Sequence, residues 1–338
     1  MPERRKIALL IETSLASGRQ IIMGIGDYMR ENDHWSVFQQ TEILGTLNPQ
    51  ALENWEGDGI IARIANQEFA NIVATKNIPI IDVLGNLDQT PFPKVICDEQ
   101  KLSQLAFQHF QSKGYQNYAY FGLNDEAWSI RRGDSFRNLV DHEKKNFSRF
   151  TTSRSSRNTQ GWTHYITEIA AWLKILPKPI GLLVCSDQLG IDLLEACSQA
   201  NVSVPSEVAL LGVDNDKTFC EICRPKLSSI SANHRQIGYQ AAALLDQLLD
   251  NNAPIPNETH IKPHSITTRQ STDSIAVEDP HVVKALQLIR DEACTGIGVD
   301  ELASRVGASR SVLQRRFRLH LNKSINLILV SNSIILFC

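Results

Sequence analysis

Short apolar runs alternate with helical patterns along most of this 338-residue chain. Runs rich in branched aliphatic residues, such as Lys6–Glu12 and Val208–Val213, predict strands buried on both faces. Gln100–Ser112 has apolar residues at helical spacing and ends before Gly114, which predicts a helix. The other predicted strands are Ser36–Thr41, Gly59–Ile64, Ile78–Leu84, Val95–Asp98, Tyr118–Leu123 and Gly181–Ser186, and the other helices are Arg19–Arg30, Asp134–His142 and Gly190–Ala200. This alternation predicts βαβ units and a parallel sheet.

The alternation restarts near Gly114, so we expect two similar lobes rather than one large sheet. Ligands of such open sheets lie outside the carboxyl ends of the strands. Polar residues follow predicted strands at Ser186-Asp187, at Asp214-Asn215 and in the loop Thr13–Gly18. Asn86 lies at another strand end and is a further ligand candidate, whereas Asp98 is predicted to cap the helix that follows it.

Four segments carry a family resemblance. They read R-R-G-D-S-F-R-N-L, G-L-L-V-C-S-D-Q, V-A-L-L-G-V-D-N and L-S-S-I-S-A-N-H-R-Q-I-G-Y-Q-A-A-A-L-L. Their order and spacing resemble the sugar-responsive repressors of the LacI/GalR type, over about Lys6 to Gln270. The resemblance implies a two-lobed α/β body like that of a periplasmic sugar-binding protein. Ser135 departs from the family, which normally has glycine before the aromatic residue.

The residues at the strand ends suit a neutral sugar. A carboxylate accepts hydrogen bonds from two vicinal hydroxyls, so Asp187 and Asp214 are candidate ligand residues. Arg132 can donate to sugar oxygens, and Trp128 can stack on the apolar face of a pyranose. Spacing alone favours a different role, with Asp187 as a helix cap and Asp214 in a turn. The resemblance favours the ligand role for Asp214, Arg132 and Asp187, and leaves that of Trp128 open.

Other chemistry finds little support in the sequence. Cys220-x-x-Cys223 is a single pair without the second pair of ligands that a structural zinc site needs. Neither a dinucleotide-binding glycine motif nor a G-x-S-x-G nucleophile motif is present. We therefore expect no cofactor, no metal and no enzymatic activity. Seven sparse cysteines and an apolar run of five residues at Ile7–Ile11 predict a cytoplasmic protein without a disulfide framework or membrane anchor.

Charge divides the chain into two unlike parts. The net charge of the chain is −3. Residues 281–323 contain eight basic and four acidic residues, a balance of +4, which leaves −7 for the remainder. Between Leu302 and Lys323 there are six basic residues and no acidic one. This asymmetry indicates nucleic-acid contact by the later part, although the whole-chain average does not.

That basic part has the pattern of a helix-turn-helix. Asp279 before Pro280 predicts the start of one helix, Asp300–Val306 predicts a second, and Ser309 is predicted to cap a third that runs to about Leu321. Ser309–Arg318 resembles the first helix-turn-helix of the AraC/XylS family. The resemblance implies base contacts by Ser311, Gln314 and Arg315, and phosphate contacts by Arg310 and Arg318. The alternative is a solvated cationic helix face.

The predicted organisation is a sugar-binding body at 1–272, a linker at 273–280, a partial AraC-type domain at 281–326 and an apolar tail at 327–338. That family has two helix-turn-helix units, so we expect the domain to be cut short. This order of parts resembles xylose-responsive activators. It implies D-xylose or a similar small sugar as ligand, double-stranded DNA as partner and a homodimer. The alternative is a sugar-binding protein that has lost effective DNA binding.

Overall fold

The computed structural model describes residues 4–39, 52, 54–156, 161–250, 254–274, 279–291, 297–321 and 324–329. The strands are β1 (Arg5–Leu10), β2 (Trp35–Gln39), β3 (Gly59–Ala62), β4 (Ile80–Asp82), β5 (Lys94–Cys97), β6 (Asn117–Leu123), β7 (Asn146–Thr152), β8 (Ile180–Val184), β9 (Val208–Val213), β10 (Ser228–Ile230), β11 (Glu258–Ile261) and β12 (Ile266–Thr267). The helices are α1 (Ala16–Glu31), α2 (Gln67–Ala74), α3 (Glu99–Ser112), α4 (Ala127–His142), α5 (Trp162–Ile175), α6 (Asp187–Ala200), α7 (Lys217–Ile222), α8 (His234–Leu249), α9 (Pro280–Asp291), α10 (Val299–Val306) and α11 (Arg310–Leu321).

The strands form two six-stranded sheets. The first has the order β11-β5-β4-β3-β1-β2, and all of its pairs are parallel. The second has the order β12-β10-β9-β8-β6-β7, in which only β12 runs antiparallel to its neighbour. The expected two-lobed α/β body is therefore confirmed, and the second sheet begins with β6, soon after Gly114. Strands such as β3 and β9 are buried at every position, as their apolar sequences predict.

The chain passes between the two lobes three times. It leaves the first lobe after β5, returns after β10 and leaves again after β11. Asp98 lies at the first crossing, where its Oδ1 accepts the Lys101 amide at 2.9 Å and caps α3 as predicted. After the second crossing, α8 packs closely against α1 because Gly24 has no side chain. A Cβ at Gly24 would lie 1.8 Å from the carbonyl oxygen of Arg235.

Helices α9, α10 and α11 share a hydrophobic cluster of their own, to which Ile289, Leu302 and Phe317 belong. The predicted cap at Asp279 is observed. Asp279 Oδ1 accepts the amides of His281 at 2.9 Å and Val282 at 3.2 Å. Between α10 and α11, Gly307 adopts φ 77°, the left-handed conformation that ends a helix. None of the helices in the described ranges combines the length and the apolar character of a membrane span.

The first residues of the predicted apolar tail at 327–338 belong to a helix. Residues 325–329 form a helical turn, and Ile325 and Ile328 are buried in the cluster of α9, α10 and α11. The turn thus adds apolar surface to that cluster. Residues 330–338 of the predicted tail lie outside the described residues.

Candidate functional site

A cavity lies between the two lobes, at the carboxyl ends of their strands. It is partly open to solvent. Its wall is formed by the start of α1, the residues after β3, β4, β5 and β6, the first turns of α4 and α6, and the turn after β9. Four of the five predicted sugar-binding residues line this cavity: Trp128, Arg132, Asp187 and Asp214.

Arg132 is held in the cavity wall by a carboxylate that the sequence analysis did not identify. Its Nε and Nη2 donate to Glu99 Oε2 at 2.6 Å and Oε1 at 2.9 Å, and its Nη1 donates to the carbonyl of Cys185. The side chains of Arg132 and Glu99 are only 4% and 10% exposed. Burial opposes the charge of Arg132, but Glu99 outweighs it and raises the pKa of the guanidinium. The guanidinium group of Arg132 is therefore held in one position and charged without a ligand.

Trp128 is fixed by a second ion pair in the same wall. Its indole Nε1 donates to Glu126 Oε2 at 2.8 Å, and Glu126 Oε1 accepts from Arg154 Nε at 2.6 Å. The guanidinium of Arg132 lies 5.1 Å from the centre of the Trp128 ring. These contacts hold the ring at one orientation in the wall of the cavity.

Asp214 keeps acceptor capacity toward the cavity. It has φ 104°, a strained backbone conformation, and its Oδ1 lies 2.8 Å from Nε2 of His234 at the start of α8. No residue in the described part of the chain donates to its other oxygen. Asp214 is therefore available to a ligand hydroxyl, which agrees with the predicted role without testing it.

Both carboxylate oxygens of Asp187, unlike those of Asp214, accept hydrogen bonds from the protein. Its Oδ1 accepts from Ser229 Oγ at 2.6 Å, and its Oδ2 accepts from the Asp216 amide at 2.7 Å and from Cys220 Sγ at 3.4 Å. Burial, followed by the nearby Asp214, raises its pKa well above the usual range. The alternative helix-cap role is wrong, because Ser186 caps α6. Asp187 fixes the turn after β9, and the predicted sugar contact stays a prediction.

Asn86 does not line the cavity. Its side chain donates to the carbonyl of Ala65 at 2.8 Å and accepts the amide of Ala127 at 2.7 Å. Both ends of the amide are thus used by the protein. The structure therefore does not support the expectation that Asn86 faces the ligand. The strand-end rule brought it near the cleft but could not show which way its side chain turns.

Two further residues in the wall were not predicted from the sequence, Arg63 after β3 and His234. Within the described ranges, Arg63 Nε and His234 Nδ1 are buried without a hydrogen-bond partner. Buried polar atoms in proteins are usually satisfied, but these two have almost no accessible surface, so a ligand or water could bind them only after a rearrangement of the wall. His234 lies inside a segment of the family resemblance, and Arg63 directly follows an apolar strand. The strand-end rule could have identified Arg63.

A second candidate surface lies on α11. Leu313, Phe317 and Leu321 are buried, and the opposite face presents the predicted DNA-contacting residues. Arg310, Ser311, Arg315 and Arg318 are exposed, and Gln314 is half-buried. The cationic face is smaller than the sequence indicates. Arg310 pairs with Asp300 at 2.9 Å, and Arg316 turns toward Asp279 at 2.5 Å.

The fold and the polar cleft between its lobes define a periplasmic-binding-protein-like ligand-binding body. Residues 107–272 match the model of the periplasmic binding protein-like domain, and residues 6–97 match that of the XylR N-terminal domain. The chain is 30% identical over 332 residues to the xylose operon regulatory protein of Escherichia coli (strain K12), covering 96% of this chain and 84% of that protein. It is 32% identical over 332 residues to that of Haemophilus influenzae, covering 95% and 84%. The chain belongs to the family of xylose operon regulatory proteins.

Solved structures agree with this family. A structure of a xylose-binding transcription activator matches with a TM-score of 0.71 and 29% identity, covering 98% of this chain and 86% of that one. A LacI family transcriptional regulator from Enterococcus faecium with bound ribose matches with a TM-score of 0.63 and 18% identity, covering 81% and 99%. At that identity the second likeness concerns the fold alone.

Proposed function

We propose that this chain is a cytoplasmic transcription regulator that binds D-xylose or a closely similar sugar in its cleft and activates transcription from DNA bound by α11. It would act as a homodimer. The observation that carries the proposal is the unsatisfied hydrogen-bonding capacity of the cleft. Asp214 offers a carboxylate oxygen that receives no donor from the described residues, and the guanidinium groups of Arg63 and Arg132 line the same wall as donors. A sugar hydroxyl donates one hydrogen bond and accepts others, so a polyol can satisfy all three groups.

The charges of the wall favour a neutral ligand. Arg132 is neutralised by Glu99, Arg154 by Glu126 and Arg131 by Asp88, with closest distances of 2.6, 2.6 and 3.3 Å. An anionic substrate would need cations that are free of such partners. Arg63 has no ion pair among the described residues, but the carboxylates of Asp214 and Asp216 lie in the same wall, so the wall as a whole does not strongly attract an anion. The choice of a pentose rests on the names of the relatives that share the family.

The DNA role rests on the exposed face of α11. Helices of this diameter fit the major groove, where Gln and Arg match the edges of adenine and guanine. Ser311, Gln314 and Arg315 would contact bases, and Arg310 and Arg318 would contact phosphates. The first unit of an AraC-type helix-turn-helix is the part that α10 and α11 would supply. Closure of the cleft on the sugar would change the spacing of two such helices in a dimer.

Calorimetric titration with D-xylose and a panel of pentoses and hexoses tests the ligand. We expect binding of D-xylose and at least about thirtyfold weaker binding by Asp214→Asn, which keeps the shape but removes the charged acceptor. Asparagine also tolerates the positive φ at this position. The surface variant Asp141→Asn is the control and should bind as the unmodified chain does. Binding of none of the sugars, or unchanged affinity in Asp214→Asn, would contradict the proposed site.

A further inference from the structure

Asn86 connects the two lobes of the body through its side chain. It lies between β4 and β5 and so belongs to the first lobe, as does Ala65, whose carbonyl accepts from Asn86 Nδ2. Ala127 begins α4, which follows β6 of the second lobe. The 2.7 Å hydrogen bond from the Ala127 amide to Asn86 Oδ1 therefore crosses the cleft.

This hydrogen bond caps the start of α4, which has no side-chain cap of its own. The first amides of a helix have no partner within it, and a side chain usually caps them. Glu126 occupies the cap position of α4 but forms no side-chain cap, because its carboxylate binds Trp128 and Arg154. Asn86 thus caps α4 from the opposite lobe. The helix that it caps carries Trp128 and Arg132.

Arg131 adds a second contact across the cleft at the same place. Its Nη2 donates to the carbonyl of Gly85 at 2.6 Å, and its Nη1 lies 3.3 Å from Asp88. Residues 85–88 of the first lobe are thus attached to the first turn and a half of α4. We name these contacts of Gly85, Asn86 and Asp88 with α4 the clasp.

A buried carboxylate at the end of β4 fixes the conformation of the loop that carries the clasp. Asp82 is fully buried and accepts the amides of Ile64 at 3.2 Å, Leu84 at 2.9 Å and Gly85 at 3.1 Å. Gly85 adopts φ 64°, and a Cβ there would lie 2.8 Å from Ile96 Cγ2. The loop is therefore shaped within the first lobe, independently of the second lobe.

We propose that the clasp is a closure device, in which Asn86 is a positioning residue that retains the ligand by holding the lobes together. The cap can form only when the lobes are close. It forms whenever the lobes close, with or without a ligand, so it slows release of a ligand that has entered and does not speed entry. The device deepens the proposed function, because the retained ligand is the sugar of the same cleft.

The test compares Asn86→Ala with Asn86→Asp. Alanine removes both hydrogen bonds, whereas aspartate loses only the donor to the Ala65 carbonyl, keeps the acceptor for Ala127 and adds a negative charge that a helix start favours. Stopped-flow tryptophan fluorescence at several D-xylose concentrations gives the entry rate from the slope and the release rate from the intercept. We expect release to be about five to ten times faster in Asn86→Ala and unchanged or slower in Asn86→Asp, with entry no slower in Asn86→Ala. Asp88→Asn, at the exposed edge, should change release less than twofold.

Two outcomes would overturn the clasp. If Asn86→Ala slows entry, or if its loss of affinity disappears for a xylose analogue lacking one particular hydroxyl, Asn86 binds the sugar directly. Unchanged release would show that the contact has no role in retention. A readout without sugar separates this proposal from that of the ligand. Hydrogen exchange at the Ala127 amide should be faster in Asn86→Ala than in the unmodified chain, and equal exchange would contradict the clasp even if D-xylose is not the ligand.

Discussion

Glu99 accepts two parallel hydrogen bonds from Arg132 across the junction of α3 and α4. Glu99 directly follows Asp98, where the chain first passes between the lobes, and Arg132 lies in the wall of the cleft. The pair therefore links the crossing of the chain to the candidate sugar site. Arg132 also donates to the carbonyl of Cys185 at the end of β8, so one guanidinium joins three elements of the second lobe.

Removal of the Glu99 charge should destabilise the body. Glu99→Gln leaves the guanidinium of Arg132 buried without its counter-charge, and we expect a loss of about 3 kcal/mol in the free energy of unfolding at pH 7. Urea denaturation followed by circular dichroism measures this loss. Asp141→Asn breaks the exposed pair with Arg137 and should cost less than about 1 kcal/mol. Equal, small effects of the two substitutions would show that the buried pair is not a major contributor to stability.

The stability of the first lobe should depend on pH through Asp246. Burial alone would raise the pKa of Asp246, but hydrogen bonds from Tyr28, His34 and Trp35 outweigh it and hold the pKa below its usual value. A carboxyl whose pKa is lowered by folding adds stability above its unfolded pKa. That stability is lost as the pH falls through the folded pKa.

Asp246→Asn tests this assignment. At pH 7 the substitution should lower the free energy of unfolding by about 2 kcal/mol, since it removes a charged acceptor. The difference from the unmodified chain should begin to shrink below the ordinary pKa of an aspartate, about 3.9, and should disappear as the pH falls through the lower folded pKa of Asp246. Asp250→Asn, which loses only a half-exposed contact with Arg5, is the matched control and should cost less than about 1 kcal/mol at pH 7. A constant difference from pH 7 to pH 3 would contradict the role of the Asp246 charge.

The base and phosphate contacts proposed for α11 predict different effects of substitution. Arg318→Ala should weaken binding to all DNA sequences and reduce the salt slope by about one. Gln314→Ala should leave that slope unchanged and lose about 1–3 kcal/mol on a site selected from a random DNA pool. Fluorescence anisotropy at several salt concentrations measures both quantities, and Lys284→Ala, an exposed cation on α9, is the control. Identical behaviour of all three variants would favour a merely solvated helix face.

Short sequence patterns predicted the secondary structure and the helix caps, because the residues that form them are close together in the sequence. The alternation of apolar runs predicted both lobes, and the caps at Asp98 and Asp279 follow from the residues next to them. Strand β7 was missed because its sequence, N-F-S-R-F-T-T, lies at the edge of its sheet and lacks a continuous apolar run. A search for continuous apolar runs does not identify a strand that is only half-buried.

The site was harder to predict because its contacts join distant residues. Asn86 caps a helix that begins 41 residues later, and Asp187 is engaged by Ser229, 42 residues away. In the sequence, Glu99 has the pattern of an ordinary acidic residue in the first turn of a helix. Its pairing with Arg132 is seen only in the folded chain, where α4 packs against α3. The same holds for Arg316, which counts as a surface cation in the sequence but pairs with Asp279, 37 residues before it.

The central claim is that sugar binding in the cleft changes DNA binding by α11. Fluorescence anisotropy of a labelled promoter fragment, titrated with the chain at about 50 mM salt with and without D-xylose, tests it most directly. We predict saturable binding whose Kd changes at least about fivefold with D-xylose, and no change in Asp214→Asn. The same Kd with and without D-xylose, or no DNA binding in either condition, would contradict the claim.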